Sequence, residues 1–108
     1  MTEYTIQDLM DNLPGAFLAD KAEGVDATVL FNLTGPKGGE WVVTIQNQHC
    51  TVEKGTISNP KLTLTADAQD CLDIFSGKLD GMKAFMQGKL KVSGNFGLAM
   101  KLVGLFHH

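Results

Sequence analysis

The chain has 108 residues, 44% of them hydrophobic, and a formal net charge of −3. That length fits one domain around one core, and the lack of any apolar run near 18 residues excludes a membrane-spanning helix. All nine basic residues are lysines. Without the forked guanidinium that reads phosphate and guanine, and with an acidic balance, the chain is not expected to bind nucleic acid.

Met1-Thr2-Glu3-Tyr4 shows no basic stretch ahead of an apolar one, so we expect no signal peptide and a cytoplasmic protein. A first helix should start at Thr5, a capping residue with Asp8 three positions on. Ile6, Leu9, Met10, Leu13 and Phe17 then recur at helical spacing. Pro14 is expected to kink this helix or to start a second short one, and Gly24 to close the region.

Four alternating runs follow. Val29, Phe31 and Leu33 alternate with Thr28, Asn32 and Thr34. After the turn at 34–39, Trp41, Val43 and Ile45 alternate with Thr44 and Gln46. Asn47-Gln48 reads as a second turn, ahead of Cys50 and Val52. Beyond the loop at 54–60, Leu62, Leu64 and Ala66 alternate with Lys61, Thr63 and Thr65. Short connections between such runs predict a mainly antiparallel sheet with one threonine-rich, wetted face.

Helical spacing returns after Asp67, with Ala68, Cys71, Leu72 and Phe75 on one stripe and Gly77 as the stop. Asp80 should cap a shorter helix carrying Met82, Phe85 and Met86. Residues 89–93 alternate as a fifth strand, and Asn95 should cap a last helix from Phe96 to about Phe106. One apolar sheet face with helices at both chain ends predicts a two-layer α+β fold.

Little here suggests catalysis. Neighbours on a strand face opposite ways, so His49 and Cys50 should diverge rather than form a nucleophile–base pair. The carboxylates show no metal-binding spacing, and Cys50 and Cys71 read as reduced, buried thiols. We expect no metal and no cofactor. The last helix, in contrast, is over-supplied with apolar residues. Phe96, Leu98, Ala99, Met100, Leu102, Val103, Leu105 and Phe106 cover nearly its whole circumference, interrupted by Lys101. A central core helix, a dimer interface and the wall of an apolar cavity would each account for that. The adaptable methionines at 82, 86 and 100 favour the cavity.

Charge is also uneven. Residues 74–108 carry Lys78, Lys83, Lys89, Lys91 and Lys101 against Asp80 alone. Lys89, Lys91 and Lys101 are therefore expected to touch an anionic membrane surface transiently.

Gly88-Lys89-Leu90-Lys91-Val92-Ser93-Gly94-Asn95, followed by Leu98-Ala99-Met100-Lys101-Leu102, resembles the signature of the sterol carrier protein 2 domain family. Asn59–Thr65, the helix around Asp70, Phe75-Ser76-Gly77, Phe31–Gly35 and Gly39-Glu40-Trp41 are similar to it too. The likeness runs from about residue 5 to 105.

This resemblance implies a five-stranded sheet covered by helices, enclosing an apolar tunnel formed partly by the last helix and residues 81–87. It implies non-catalytic binding of a fatty acid, fatty acyl-CoA, phospholipid or sterol-like molecule, with transfer as an extension. The end Leu105-Phe106-His107-His108 departs from a peroxisomal Ser-Lys-Leu address, and we expect no fused enzyme domain. A stand-alone, prokaryotic version is expected, acting as a monomer or weak homodimer, with a sterol not favoured as ligand. The expected wall residues are Leu33, Trp41, Phe75, Met82, Phe85, Met86, Phe96, Met100, Val103 and Phe106. The alternative reading is an accessory module whose apolar C-terminal helix binds a partner subunit of lipid or isoprenoid-quinone metabolism.

Overall fold

Thr5 opens the first helix through a capping box. Its hydroxyl accepts the Asp8 N–H at 3.1 Å, and the Asp8 carboxylate accepts the Thr5 N–H at 3.0 Å. The helix, α1 (Ile6–Ala16), buries Ile6, Leu9, Met10 and Leu13. It runs through Pro14 for two further residues, so the proline starts no second element. Pro14 removes one backbone donor in the last turn, and the helix ends two residues beyond it. A 3-10 turn, Ala19–Ala22, leads to Gly24 at φ 77°. The structure, a computed structural model, describes residues 5–36 and 38–103, with the side chains of Met100 and Val103 outside that description.

The strands are β1 (Ala27–Thr34), β2 (Gly39–Gln46), β3 (His49–Lys54), β4 (Leu62–Asp67) and β5 (Leu90–Gly94), in the spatial order β3-β2-β1-β4-β5. Asn47 and Gln48, at φ 52° and 61°, form the two-residue hairpin between β2 and β3. The Gln48 side chain then donates to the Ala19 carbonyl at 3.0 Å. The pairing is antiparallel except between β1 and β4, which run parallel. The sheet is therefore mixed: the β1–β2–β3 meander leaves one side of β1 unpaired, and β4 returns along that side in the same direction.

Register sorts the two faces. Thr28, Thr44 and Thr51 stand opposite one another on the outer face. Ala27, Val29, Phe31 and Leu33 align with Ile45, Val43 and Trp41 on the inner face, and all of these are buried. Over that inner face lie α1, packed against β3, and α2 (Ala68–Phe75), packed against β1 and β4. Asp67 caps α2 by accepting the Gln69 N–H at 3.0 Å. Asp80 caps α3 (Gly81–Met86) in the same way, and α3 leans on β5. The fourth helix, α4 (Phe96–Val103), starts with the Asn95 side chain accepting the Leu98 N–H at 3.0 Å and crosses β4 and β5. It is buried along a stripe through Ala99 and Leu102, while Phe96 and Lys101 are exposed. Its predicted extension to Phe106 falls outside the described residues.

Candidate functional site

The helical layer does not close over β4 and β5. α2 stops at Ser76 and Gly77, the latter at φ 84°, and the chain loops away through residues 77–80 before α3 begins. Helix α3 has six residues and seats Ala84, fully buried, against the sheet edge. Four of the residues facing the gap between α2, α3 and α4 are small: Ala66, Gly77, Gly81 and Ala99. Well-packed interiors leave few voids larger than a water molecule. Here about 470 Å³ stays open.

The floor of this cavity is Phe31 and Leu33 from β1, Leu64 and Ala66 from β4, and Leu90 from β5. Cys71, Ile74 and Phe75 of α2 form one wall, with Phe75 set 5.9 Å from Phe31 between ring centroids at an interplanar angle of 38°. Leu79, Asp80 and Met82 complete the rim. Gly77, Asp80 and Met82 are exposed, so the cavity opens to solvent between α2 and α3.

Among the described residues Asp80 is the one charged side chain in the lining. Its carboxylate accepts the N–H groups of Met82 and Lys83 at 2.8 and 3.3 Å, which draws its charge toward the helix end. The chamber therefore suits an apolar chain, with any polar end left at the rim. Among the described residues no three His, Cys, Asp or Glu side chains form a metal-holding group.

Leu33, Phe75 and Met82 stand in the lining. Trp41 is buried one strand away, opposite Phe31, with the Lys54 ammonium 5.5 Å from its ring. Its indole N–H has no hydrogen-bond partner among the described residues. Phe85 and Phe96 pack edge to face at 4.9 Å on the outside of the cavity, and Met86 is 77% exposed. The side chains of Met100 and Val103, and all of Phe106, lie outside the described residues.

The expected set missed Phe31, Leu64, Ala66, Leu90, Cys71, Ile74, Leu79 and Ala99. The strand members were visible in the sequence as inward positions on neighbouring strands, but such positions read equally well as solid core. His49 is exposed and Cys50 half-buried on opposite faces of β3. Lys91 pairs with Thr65 on the outer sheet face, so Lys89, Lys91 and Lys101 do not form one set around the cavity.

Burial pushes the Cys71 thiol from 9.0 up to about 12, and that of Cys50 to about 11. Since the thiolate is the nucleophile, the rise from 9.0 to about 12 should slow Cys71 alkylation at pH 8 about a thousandfold relative to an ordinary thiol. Peptide-mapped iodoacetamide labelling should show this, with Cys71 slower still when a lipid fills the cavity. Labelling of Cys71 at the rate of a free thiol would mean the wall is open there.

The SCP-2 sterol transfer family profile matches residues 8–107. The chain belongs to this family. Peroxisomal multifunctional enzyme A of Dictyostelium discoideum is 39% identical over 93 residues, covering 84% of this chain and 20% of that protein. Sterol carrier protein 2 of Gallus gallus is 37% identical over 91 residues, covering 84% of this chain and 17% of the relative. The chain thus spans about a fifth of these curated relatives. Among solved structures, palmitated SCP2L2 from Aedes aegypti superposes with a TM-score of 0.75 at 27% identity, covering 96% of both chains. The five-stranded α+β fold is that of the SCP-2 family.

Proposed function

We propose that this SCP-2 domain is a non-catalytic, cytoplasmic carrier that holds one acyl chain, as a fatty acid or the acyl arm of a larger lipid, and passes it on. The observation that carries this reading is the cavity of about 470 Å³ with its apolar floor and walls. A methylene is similar in size to a water molecule, whose share of liquid volume is about 30 Å³. The chamber therefore has room for roughly fifteen such groups, enough for one long chain. A rigid sterol, with more carbon atoms than this and no freedom to fold, fits less well, and so does a pair of acyl chains. The palmitated state of the Aedes aegypti relative supports the same ligand class.

Each buried methylene contributes about 0.8 kcal/mol, close to fourfold in affinity. In competition with a fluorescent fatty-acid analogue, saturated acids should bind more tightly by about that factor per carbon until the chamber is full, near fifteen carbons, and then level off. The longest acids should reach micromolar dissociation constants, about −8 kcal/mol. A sterol should compete at least tenfold less well. Tighter binding of the sterol, or no dependence on chain length, would refute this reading.

A further inference from the structure

Helix α3 exposes its two methionines and leaves Phe85 half-buried. Met82, Phe85 and Met86 fall on one face at i, i+3 and i+4, while the buried residue of the helix is Ala84. Met82 is 45% exposed and Met86 77%, and Phe96 of α4, against Phe85, is 42% exposed. These three are the exposed large apolar side chains of the described residues, and they lie together rather than scattered. Met82 also lines the cavity, so the strip runs up to the cavity mouth.

The charge around the strip differs from that of the rest of the chain. Lys78 and Lys89 flank α3 in sequence, Lys83 lies within it, and all three are exposed, while the nearest acid in sequence, Asp80, is engaged with the helix N-terminus. Residues 1–73 carry eleven acids against four lysines. The outer face of α1 presents Asp11 and no lysine, so that helix repels an anionic surface. A second copy docked strip to strip would face lysines with lysines.

We propose that the strip of Met82, Phe85, Met86 and Phe96, with the exposed Lys78, Lys83 and Lys89 on and beside α3, docks on an anionic phospholipid bilayer and sets the cavity mouth against the membrane. Apolar side chains enter the interfacial region, and each lysine near the charged surface adds a factor of about five in binding. The proposal rests on the acyl-chain reading only for the purpose of docking, which is to let a chain pass between bilayer and cavity without crossing water.

The test is co-sedimentation of the full chain with phosphatidylcholine vesicles, with and without phosphatidylserine, beside fatty-acid titration in solution. Wild type should partition at least tenfold more strongly onto the serine-containing vesicles, with the difference shrinking in high salt. Met86→Asp and Lys83→Glu should each weaken that partition, Met86→Asp by tenfold or more. Both should keep fatty-acid affinity in solution within twofold of wild type, which also shows that they fold. Unchanged partition of Met86→Asp would overturn the proposal. So would a wild type that binds fatty acid but ignores anionic vesicles, or a wild-type dimer that Met86→Asp dissociates. Vesicle binding without any fatty-acid binding would instead refute the acyl-chain reading and leave the docking surface standing.

Discussion

Replacing Ala66 with phenylalanine is expected to weaken acyl-chain binding about a hundredfold while the fold survives. Ala66 lies on the cavity floor, paired with Leu33 on β1 and Leu90 on β5, and it is 4% exposed. A benzyl group there would point into open volume and take the room of about four methylenes, which is about 3 kcal/mol of lost burial for the ligand. In a solid core the same change would overpack and destabilise by about 1–3 kcal/mol. Thermal unfolding and fatty-acid titration of one variant therefore separate the two cases. Retained melting temperature with lost binding fits a chamber. Lost stability with retained binding would place the ligand elsewhere.

The second large effect is expected from Gly94→Ala at the joint between β5 and α4. Gly94 has φ 108°, where L side chains are strained, and a Cβ there would stand 2.5 Å from the Lys61 carbonyl oxygen. That oxygen also accepts the Asn95 N–H at 3.2 Å, at the start of α4. The methyl group must push the joint away from β4, and with it the helix that carries Ala99 over the cavity. Strain of this kind costs about 1–3 kcal/mol before the displaced packing is added, so we expect a loss of about 3 kcal/mol in urea unfolding. Ligand binding should weaken as well. Gly97 is the control, since a Cβ there would meet only the Asn95 side chain, at 3.4 Å, and its backbone is free of the positive φ of Gly94. Gly97→Ala should be nearly neutral. Equal stability of the two variants would show that Gly94 does not set the position of α4.

Most of the fold was legible in the sequence because its determinants are local. Thr5, Asp67, Asp80 and Asn95 each cap the helix they precede. The alternation around Val29, Val43 and Leu64 predicted the strands, and Asn47-Gln48 the hairpin. The parallel pairing of β1 with β4 was not legible, since it depends on which free edge a distant strand meets. An apolar cavity was expected from the over-supplied last helix and the methionines, but its place beside α2 and α3 was not legible, for a different reason. It exists where Ala66, Gly77, Gly81 and Ala99 fail to fill space, and small residues leave no apolar period to read. The stripe of Met82, Phe85 and Met86 was legible as a stripe but not in its direction. That was decided by Ala84, whose small side chain lets α3 sit against β5 and turns the methionines outward. Trp41 was named among the wall residues; it stands on β2 opposite Phe31, which lines the chamber.

Native mass spectrometry of the purified chain tests the acyl-chain reading most directly. A chamber open to about 470 Å³ and lined by Phe31, Leu64, Ile74 and Phe75 should retain lipid through purification. The expected spectrum is a monomer carrying at most one added mass, identified as a single fatty acid or another single-chain lipid after release, and lost in Ala66→Phe. A chain that stays bare when saturated with fatty acid, or that takes up a sterol in preference, would contradict it.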